Sequence, residues 1–139
     1  MNRFRIYISG KIGEEVISEA TRQKFAKAEE LLKDVFGAEI VDVINPAADH
    51  IQDALKMHYS MKGINPWYEE TLLYMLHWLE SCTAIYMLPD FLDSPGAKTE
   101  HAFAIATKKN IYYAEELFLD GTLRHKSFQK NRLPQKIEP

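Results

Sequence analysis

The chain has 139 residues, the length of one ordinary domain, and can bury a core without disulfides or a structural metal. Its 46% hydrophobic and 12% aromatic residues exclude a disordered chain, and its apolar runs are too short to cross a bilayer. The net charge of -3 argues against a broad nucleic-acid-binding surface. We therefore expect one globular domain whose partners include neither nucleic acid nor a membrane.

The ends of the chain and its single cysteine suggest a compartment and a domain boundary. Cys82 is the only cysteine, which rules out an intrachain disulfide, and Met1–Arg3 leads into an apolar run without a signal peptide. We expect a cytoplasmic protein. Residues 122–139 hold five Lys or Arg residues and one acid. We predict a single domain over residues 1–121 and a basic C-terminal tail over 122–139, either a solvated end or an arm over a neighbouring subunit.

The first half of the chain predicts two strands that flank an amphipathic helix. In chain order these are the strand Phe4–Ile8, the helix Glu19–Phe36 and the strand Glu39–Ile44. Ser18 is a suitable N-cap and Gly37 a suitable stop for the helix, and Asn45-Pro46 ends the second strand because proline cannot continue a hydrogen-bonded ladder. Residues 47–65 give a mixed pattern, with a short helix broken at Gly63, and we expect a mobile lid there.

The second half of the chain repeats the alternation of helices and strands. In chain order it predicts the helix Trp67–Glu80, the strand Thr83–Leu88, the helix Ala97–Lys108 and the strand Asn110–Tyr113, with Glu116–Leu119 as a candidate fifth strand. Ser94 is a suitable N-cap, and Pro95 suits the first helical position. This alternation predicts a three-layer α/β/α sandwich with a parallel sheet of four to five strands, of the flavodoxin-like or Rossmann-like type.

In such a fold the carboxyl ends of the parallel strands lie at one edge of the sheet, and ligands bind there. The segments expected at that edge are 7–12, 45–49 and 89–100. They are rich in carboxylates and hydroxyls and contain no cluster of His and Cys. Their candidate side chains and backbone positions are Tyr7, Ser9, Gly10, Asn45, Asp90, Asp93, Ser94 and Glu100.

Several kinds of chemistry lack their usual pattern in this chain. None of the five histidines pairs at the spacing of a zinc helix, and Cys82 has no cysteine partner. Asp90 and Asp93 fit either a magnesium site or two solvated loop acids. Ser9-Gly10 lacks the second glycine of a nucleophile elbow, and Gly10–Gly13 lacks the spacing of a dinucleotide-binding loop. We predict no metal and no organic cofactor, which leaves catalysis by a carboxylate.

Glu100 is the carboxylate that the pattern singles out. It lies about one and a half turns into the helix that follows Ser94, on the same stripe as Ala97 and Phe103. Small residues at Gly96 and Ala97 would let a ligand approach closely. The spacing alone favours an ordinary helical glutamate that faces water, and the catalytic interpretation stays open beside it.

Five pieces of the chain resemble a known family. They are Ile6–Gly10, Val43–Pro46, Trp67–Cys82, Ala84–Pro89 and Ser94–Ala104. Together they resemble the nucleoside 2-deoxyribosyltransferase superfamily, in particular its small phage and bacterial relatives of unassigned function. The resemblance spans residues 4 to about 113, and its most specific piece is the Ser94–Ala97 turn followed by Glu100.

The resemblance implies an enzyme that acts on the N-glycosidic bond of a (deoxy)nucleoside or nucleoside 5′-monophosphate, by hydrolysis or base transfer. It implies that Glu100 is the nucleophile and that Tyr7 orients it, and it leaves Asp93 as the candidate to handle the proton of the base. The substrate-binding positions that go with this assignment are Ser9, Gly10, Asn45, Ser94, Gly96 and Ala97. Because members of the superfamily form dimers or larger assemblies, the resemblance also implies a homo-oligomer.

The chain departs from the superfamily six residues before Glu100. The transferases have an aspartate at that position, where this chain has Ser94, with Asp93 beside it. Ser94 and the backbone N–H groups near Gly96 suit a phosphate instead. Two further hypotheses follow. One is a non-catalytic nucleotide-binding sensor, and the other is an oligomeric assembly protein with an interface around Trp67 and Trp78.

Overall fold

A computed structural model describes residues 4–13, 16–63 and 68–114 of the chain. These residues form a sheet of short strands, the helices that connect them, and one 3-10 helix. In chain order the elements are β1 (Phe4–Ser9), α1 (Glu19–Phe36), β2 (Val41–Ile44), α2 (Asp49–Lys62), α3 (Tyr68–Glu80), β3 (Ala84–Met87), the 3-10 helix Phe91–Asp93, α4 (Pro95–Ala106) and β4 (Asn110–Tyr113). Among the described helices, none is long and apolar enough to cross a bilayer.

The four described strands form one parallel sheet in the order β2-β1-β3-β4. β1 and β3 lie in the middle, where Tyr7 pairs with Ile85 and Ser9 pairs with Met87. All four residues of β3 are buried, as expected of a strand that is covered on both faces. The predicted three-layer α/β fold is confirmed, and its described sheet has four strands.

Helices cover both faces of the sheet and create two hydrophobic cores. The first core lies beneath α1 and contains Phe25 and Leu32 of that helix together with Ile6 and Ile8 of β1. The second core, on the opposite face, takes residues from α2, α3 and α4; those of lowest exposure are Ile51, Leu79 and Ala104. Successive residues of a strand point to opposite faces, so Tyr7 of β1 belongs to the second core.

The helix ends follow the local sequence signals. Ser18 Oγ accepts a hydrogen bond from the Thr21 amide at 3.2 Å, and Ser94 Oγ accepts one from the Ala97 amide at 3.1 Å. The predicted N-caps of α1 and α4 are therefore confirmed. α1 ends at Gly37, as predicted, with a φ of 94° that glycine adopts without a steric penalty.

Several bounds differ from those predicted. β1 extends to Ser9, β3 is shorter by one residue at each end, and α4 is Pro95–Ala106 instead of Ala97–Lys108. β2 begins at Val41 instead of Glu39, because the amides of Ile40 and Val41 both bond to the Gly37 carbonyl and extend the turn after α1. The mixed segment after β2 contains a regular helix of 14 residues, which is longer than the short helix expected there. Its Ile51 is fully buried in the second core.

Some predictions lie outside the described residues or are not tested by them. Trp67, the candidate strand Glu116–Leu119 and the basic tail 122–139 lie outside the described ranges. The proposed mobility of residues 47–65 and the domain boundary at residue 121 stay predictions. The described residues include the elements that form the candidate site.

Candidate active site

The carboxylate of Glu100 is held by two hydroxyl groups from β1. Tyr7 Oη donates a hydrogen bond to Oε2 of Glu100 at 2.7 Å, and Ser9 Oγ donates one to Oε1 at 2.6 Å. Tyr7 and Ser9 reach the same carboxylate because they are two residues apart in a strand and so share a face. Glu100, in the second turn of α4, is only 7% exposed. It is therefore not the solvent-facing glutamate that the helical spacing also allowed.

Burial governs the protonation of these groups. It raises the pKa of Glu100 from 4.5 to about 7, and the hydrogen bonds from Ser9 and Tyr7 offset part of that rise because they favour the charged form. Burial, followed by the charge of Glu100, raises the pKa of the Tyr7 phenol well above its usual value of 10. At neutral pH the Tyr7 phenol is therefore a proton donor, and Glu100 is close to its midpoint of ionisation.

A cavity of about 580 Å³ adjoins the Glu100 carboxylate, a volume typical of a small-molecule site. The β1–α1 loop forms one wall, α2 and α3 form another, and the first turn of α4 forms a third. The residues that line these three walls include Gly10, Ile12, Gly13, Gln52, Leu55, Tyr59, Thr71, Leu72, Met75, Ser94, Pro95, Gly96 and Ala97. The cavity therefore lies at the carboxyl end of β1, where ligands bind in open α/β folds.

The first turn of α4 lines this cavity and carries backbone N–H donors. The amide of Ala97 bonds to Ser94 Oγ, the amide of Lys98 bonds to the Ser94 carbonyl, and Pro95 has no N–H. Within the described part of the chain, the amide of Gly96 has no hydrogen-bond acceptor. A free N–H at the positive end of a helix dipole favours a negatively charged ligand group.

A family model described as a domain of unknown function, DUF4406, matches residues 4–113. The chain belongs to the DUF4406 family. The match includes all four described strands and the Tyr7, Ser9 and Glu100 cluster, so the candidate site lies within the family's domain. No curated protein and no solved structure matches the chain.

Not every predicted site residue of this DUF4406 chain lines the cavity. Asn45 is buried, but its side chain accepts a hydrogen bond from the Ala47 amide and donates one to Glu29, and thereby stabilises the turn after β2. Asp93 lies in the 3-10 helix and is exposed. Neither residue is among those that line the cavity. The structure brings Tyr7, Ser9 and Glu100 together near the Ser94–Ala97 turn and leaves Asn45 and Asp93 apart. Ser9, predicted to bind substrate, contacts Glu100 but does not line the cavity itself.

Gly10 lines the cavity, and local packing requires a glycine at this position. A Cβ atom at this position would lie 2.6 Å from Cδ1 and 2.9 Å from Cβ of Leu88. Because real Cβ atoms do not approach that closely, glycine is required for the packing of the β1 end against the segment after β3. The missing side chain therefore serves this close approach, and the Gly10 backbone contributes to the cavity wall.

The α2 and α3 wall contains residues that the sequence pattern did not single out. Tyr59 of α2 and Thr71 of α3 form a hydroxyl-to-hydroxyl hydrogen bond between the two helices. Gln52 lies two turns before Tyr59 on the same side of α2, and its amide donates to the Pro46 carbonyl at 2.7 Å. The recurrence of Gln52, Leu55 and Tyr59 at helical spacing was the signal that could have identified this wall.

Metal and thiol chemistry have little support in the DUF4406 site. The described residues contain no group of three or more His, Cys, Asp or Glu side chains that could hold a metal ion. Asp90, one of the two acids considered for magnesium, forms an ion pair with Lys24. Cys82 lies before β3, and burial raises the pKa of its thiol to about 11, which disfavours the nucleophilic thiolate. Glu100 is thus the best-supported reactive group among the residues described.

Proposed function

We propose that this DUF4406 protein cleaves the N-glycosidic bond of a (deoxy)nucleoside or a nucleoside 5′-monophosphate, by hydrolysis or by transfer to another base. The observation that carries the proposal is the Glu100 carboxylate, which is buried beside a cavity of about 580 Å³ and held between the hydroxyls of Tyr7 and Ser9. The resemblance to the nucleoside 2-deoxyribosyltransferase superfamily supports the same assignment of Glu100.

The reaction has two displacement steps. A carboxylate oxygen of Glu100 attacks the anomeric carbon as the bond from that carbon to the base nitrogen breaks. The bonding electron pair leaves with the base, which takes up a proton. Water or a second base then attacks the anomeric carbon, loses a proton and releases the carboxylate. The glycosyl ester divides one difficult substitution into two easier ones, as it does in retaining glycosidases.

The surroundings of Glu100 suit a nucleophile. Tyr7 and Ser9 each hold one carboxylate oxygen, so the carboxylate needs little rearrangement when a substrate arrives. Burial leaves it with few water molecules to lose. Tyr7 acts here as a positioning group for the carboxylate. Ser9 has the same role, because it is 0% exposed.

The start of α4 supports the monophosphate branch of the proposal. Gly96, whose amide is free, and Ser94 both line the cavity, and the positive end of the helix dipole favours a phosphate there. Ser94 then replaces the aspartate of the transferases with a group that binds the ligand.

A non-catalytic nucleotide sensor is the second candidate. Asp93, the acid nearest to the missing aspartate, is exposed and does not line the cavity. Among the described lining residues, Glu100 is the one carboxylic acid, so the departing base has no second acid beside it there. For the assembly hypothesis, Trp78 is half-buried and packs against the second core, and Trp67 lies outside the described residues.

The proposed function is tested with a panel of ribo- and deoxyribonucleosides and their 5′-monophosphates, with detection of free base by chromatography. We expect base release by the wild type, and a loss of at least about 10³-fold in Glu100→Gln and Glu100→Ala, because either substitution removes the nucleophile. Glu30→Gln is the matched control, since Glu30 is an exposed glutamate of α1.

Three outcomes distinguish the candidates. Wild-type activity that persists in Glu100→Gln would contradict the proposed nucleophile. Thermal stabilisation by a nucleotide without release of any base would favour the sensor. Oligomers that form in the absence of ligand, with no thermal shift from any member of the panel, would favour the assembly protein.

A further inference from the structure

The β1–α1 loop, residues 10–13, is held by two side chains from other elements. Oδ1 of Asp90 accepts a hydrogen bond from the Lys11 amide at 3.0 Å. Nζ of Lys24 donates to the Lys11 carbonyl at 2.7 Å and to Oδ2 of Asp90 at 2.6 Å. Asp90 follows β3 and Lys24 lies in α1, so these three contacts join three separate parts of the chain. We call Lys24, Asp90 and the Lys11 backbone the loop clamp.

The loop clamp is stronger than an ordinary surface ion pair. The side chains of Lys24 and Asp90 are 32% and 29% exposed, so both are partly removed from water. Each contact involves an ionised group, and such hydrogen bonds are stronger than neutral ones. The clamp satisfies both the N–H and the C=O of Lys11, in a loop that has no helix or strand to satisfy them.

The clamped residue lies between residues that line the cavity. Gly10, Ile12 and Gly13 form the loop wall, and Lys11 stands among them. Gly13 has a φ of +53°, and no described residue lies within 4 Å of the position where its Cβ would be, whereas the neighbouring Ile12 packs against the first core. The Glu100 carboxylate has its own hydrogen bonds to Tyr7 and Ser9 and makes none to the clamp.

We propose that Lys24 and Asp90 are positioning residues that fix the β1–α1 loop as a wall of the cavity, and so set the affinity for the substrate instead of the rate of the chemical step. This inference rests on the proposed function for the identity of the substrate. The effect of the clamp on the loop itself is independent of any reaction.

The first experiment separates affinity from chemistry. Asp90→Ala removes both contacts of the carboxylate, Asp90→Asn keeps an acceptor for the Lys11 amide but loses the charge, and Lys24→Met removes the ammonium. With the panel nucleoside or monophosphate that the wild type cleaves best, we expect KM to rise about tenfold in Asp90→Ala and Lys24→Met, with kcat within about threefold of wild type. Asp90→Asn should raise KM by a smaller factor.

Lys27→Met is the matched control, because it removes an exposed lysine from the same helix without touching the loop. We expect its KM to equal that of the wild type. A KM within twofold of wild type in both Asp90→Ala and Lys24→Met would overturn the inference. So would a fall in kcat that exceeds the rise in KM, because the clamp would then act on the chemical step.

The second experiment needs no turnover. Amide hydrogen exchange of the ligand-free protein should be at least about tenfold faster at Lys11 in Asp90→Ala than in the wild type, because the amide loses its acceptor. The amides of β3 should exchange at the wild-type rate, which shows that the variant is folded. Unchanged exchange at Lys11 would overturn the inference. A wild type that cleaves no panel member would instead contradict the proposed function, while the exchange result still decides the clamp.

Discussion

The environment of Glu100 imposes two opposing requirements on one side chain. A nucleophile must be ionised, yet burial raises the pKa of this carboxyl to about 7 and so favours the neutral acid. The hydroxyls of Tyr7 and Ser9 favour the carboxylate and partly restore its ionisation. Such a buried ionisable group beside a cavity lowers stability at the pH where it is charged, and this combination is typical of functional sites.

The first prediction concerns the pH dependence of stability. The folded-state pKa of Glu100 is about 7 and its ordinary value is 4.5, so the stabilising contribution of the neutral acid is fully present below pH 4.5. It is lost as the pH rises through 7, because the folded protein must then ionise a buried group. Between pH 5 and pH 8 this loss corresponds to about 2 kcal/mol in the free energy of unfolding. The side chain at position 100 cannot ionise in Glu100→Gln, so this variant should not show the loss.

Urea denaturation at pH 5 and pH 8 measures this difference. We expect the wild type to lose about 2 kcal/mol more than Glu100→Gln over that interval, since the other titrating groups are common to both proteins and cancel. Glu30→Gln should follow the wild type because Glu30 is exposed. Equal pH dependence in wild type and Glu100→Gln would show that Glu100 does not have the raised pKa.

At the scale of elements, the site depends on where β1 ends and α4 begins. β1 supplies the two hydroxyl donors, and the second turn of α4 supplies the carboxylate. Ser94 fixes the start of α4, and the position of Glu100 relative to Tyr7 follows from that start. The cap of α4 should therefore affect activity as well as stability, whereas the equivalent cap of α1 should affect stability alone.

The second prediction compares these two caps. Ser94→Ala and Ser18→Ala each remove a hydroxyl that accepts a hydrogen bond from the third amide of its helix, and each should cost about 1 kcal/mol in the free energy of unfolding. Only Ser94 lines the cavity, so kcat/KM on the best panel substrate should fall about tenfold in Ser94→Ala and stay near wild type in Ser18→Ala. Equal kcat/KM in the two variants would contradict a role of α4's start in the site.

The elements also show which features the sequence could predict. The bounds of α1 and the N-caps of α1 and α4 depend on residues a few positions apart, so the local sequence pattern was sufficient to predict them. The burial of Glu100 was not readable from spacing, because Tyr7 lies more than 90 positions before it and meets it only when the sheet forms. For the same reason the pattern placed Asn45 and Asp93 at the correct edge of the sheet but could not show that they do not line the cavity.

At the scale of the whole molecule, one sheet lies between the two hydrophobic cores. The first core, beneath α1, contains no residue of the Tyr7, Ser9 and Glu100 cluster, whereas Tyr7 belongs to the second core. β1 and β3 contribute alternate residues to both cores, which couples the two cores through the sheet. We therefore expect a substitution in either core to destabilise the whole described domain in one transition.

The third prediction tests this coupling with two leucines of 0% exposure, Leu32 of α1 and Leu79 of α3. Leu32→Ala and Leu79→Ala each leave a cavity in one core, and each should lower the free energy of unfolding by about 2–5 kcal/mol. Urea unfolding is followed by far-UV circular dichroism and by tryptophan fluorescence, to which Trp78 at the second core contributes. If the sheet couples the cores, Leu32→Ala shifts both midpoints equally, although Leu32 lies on the face opposite Trp78. A fluorescence midpoint that stays at its wild-type value in Leu32→Ala would mean that the two faces unfold separately, and the site would then be stabilised by its own core alone.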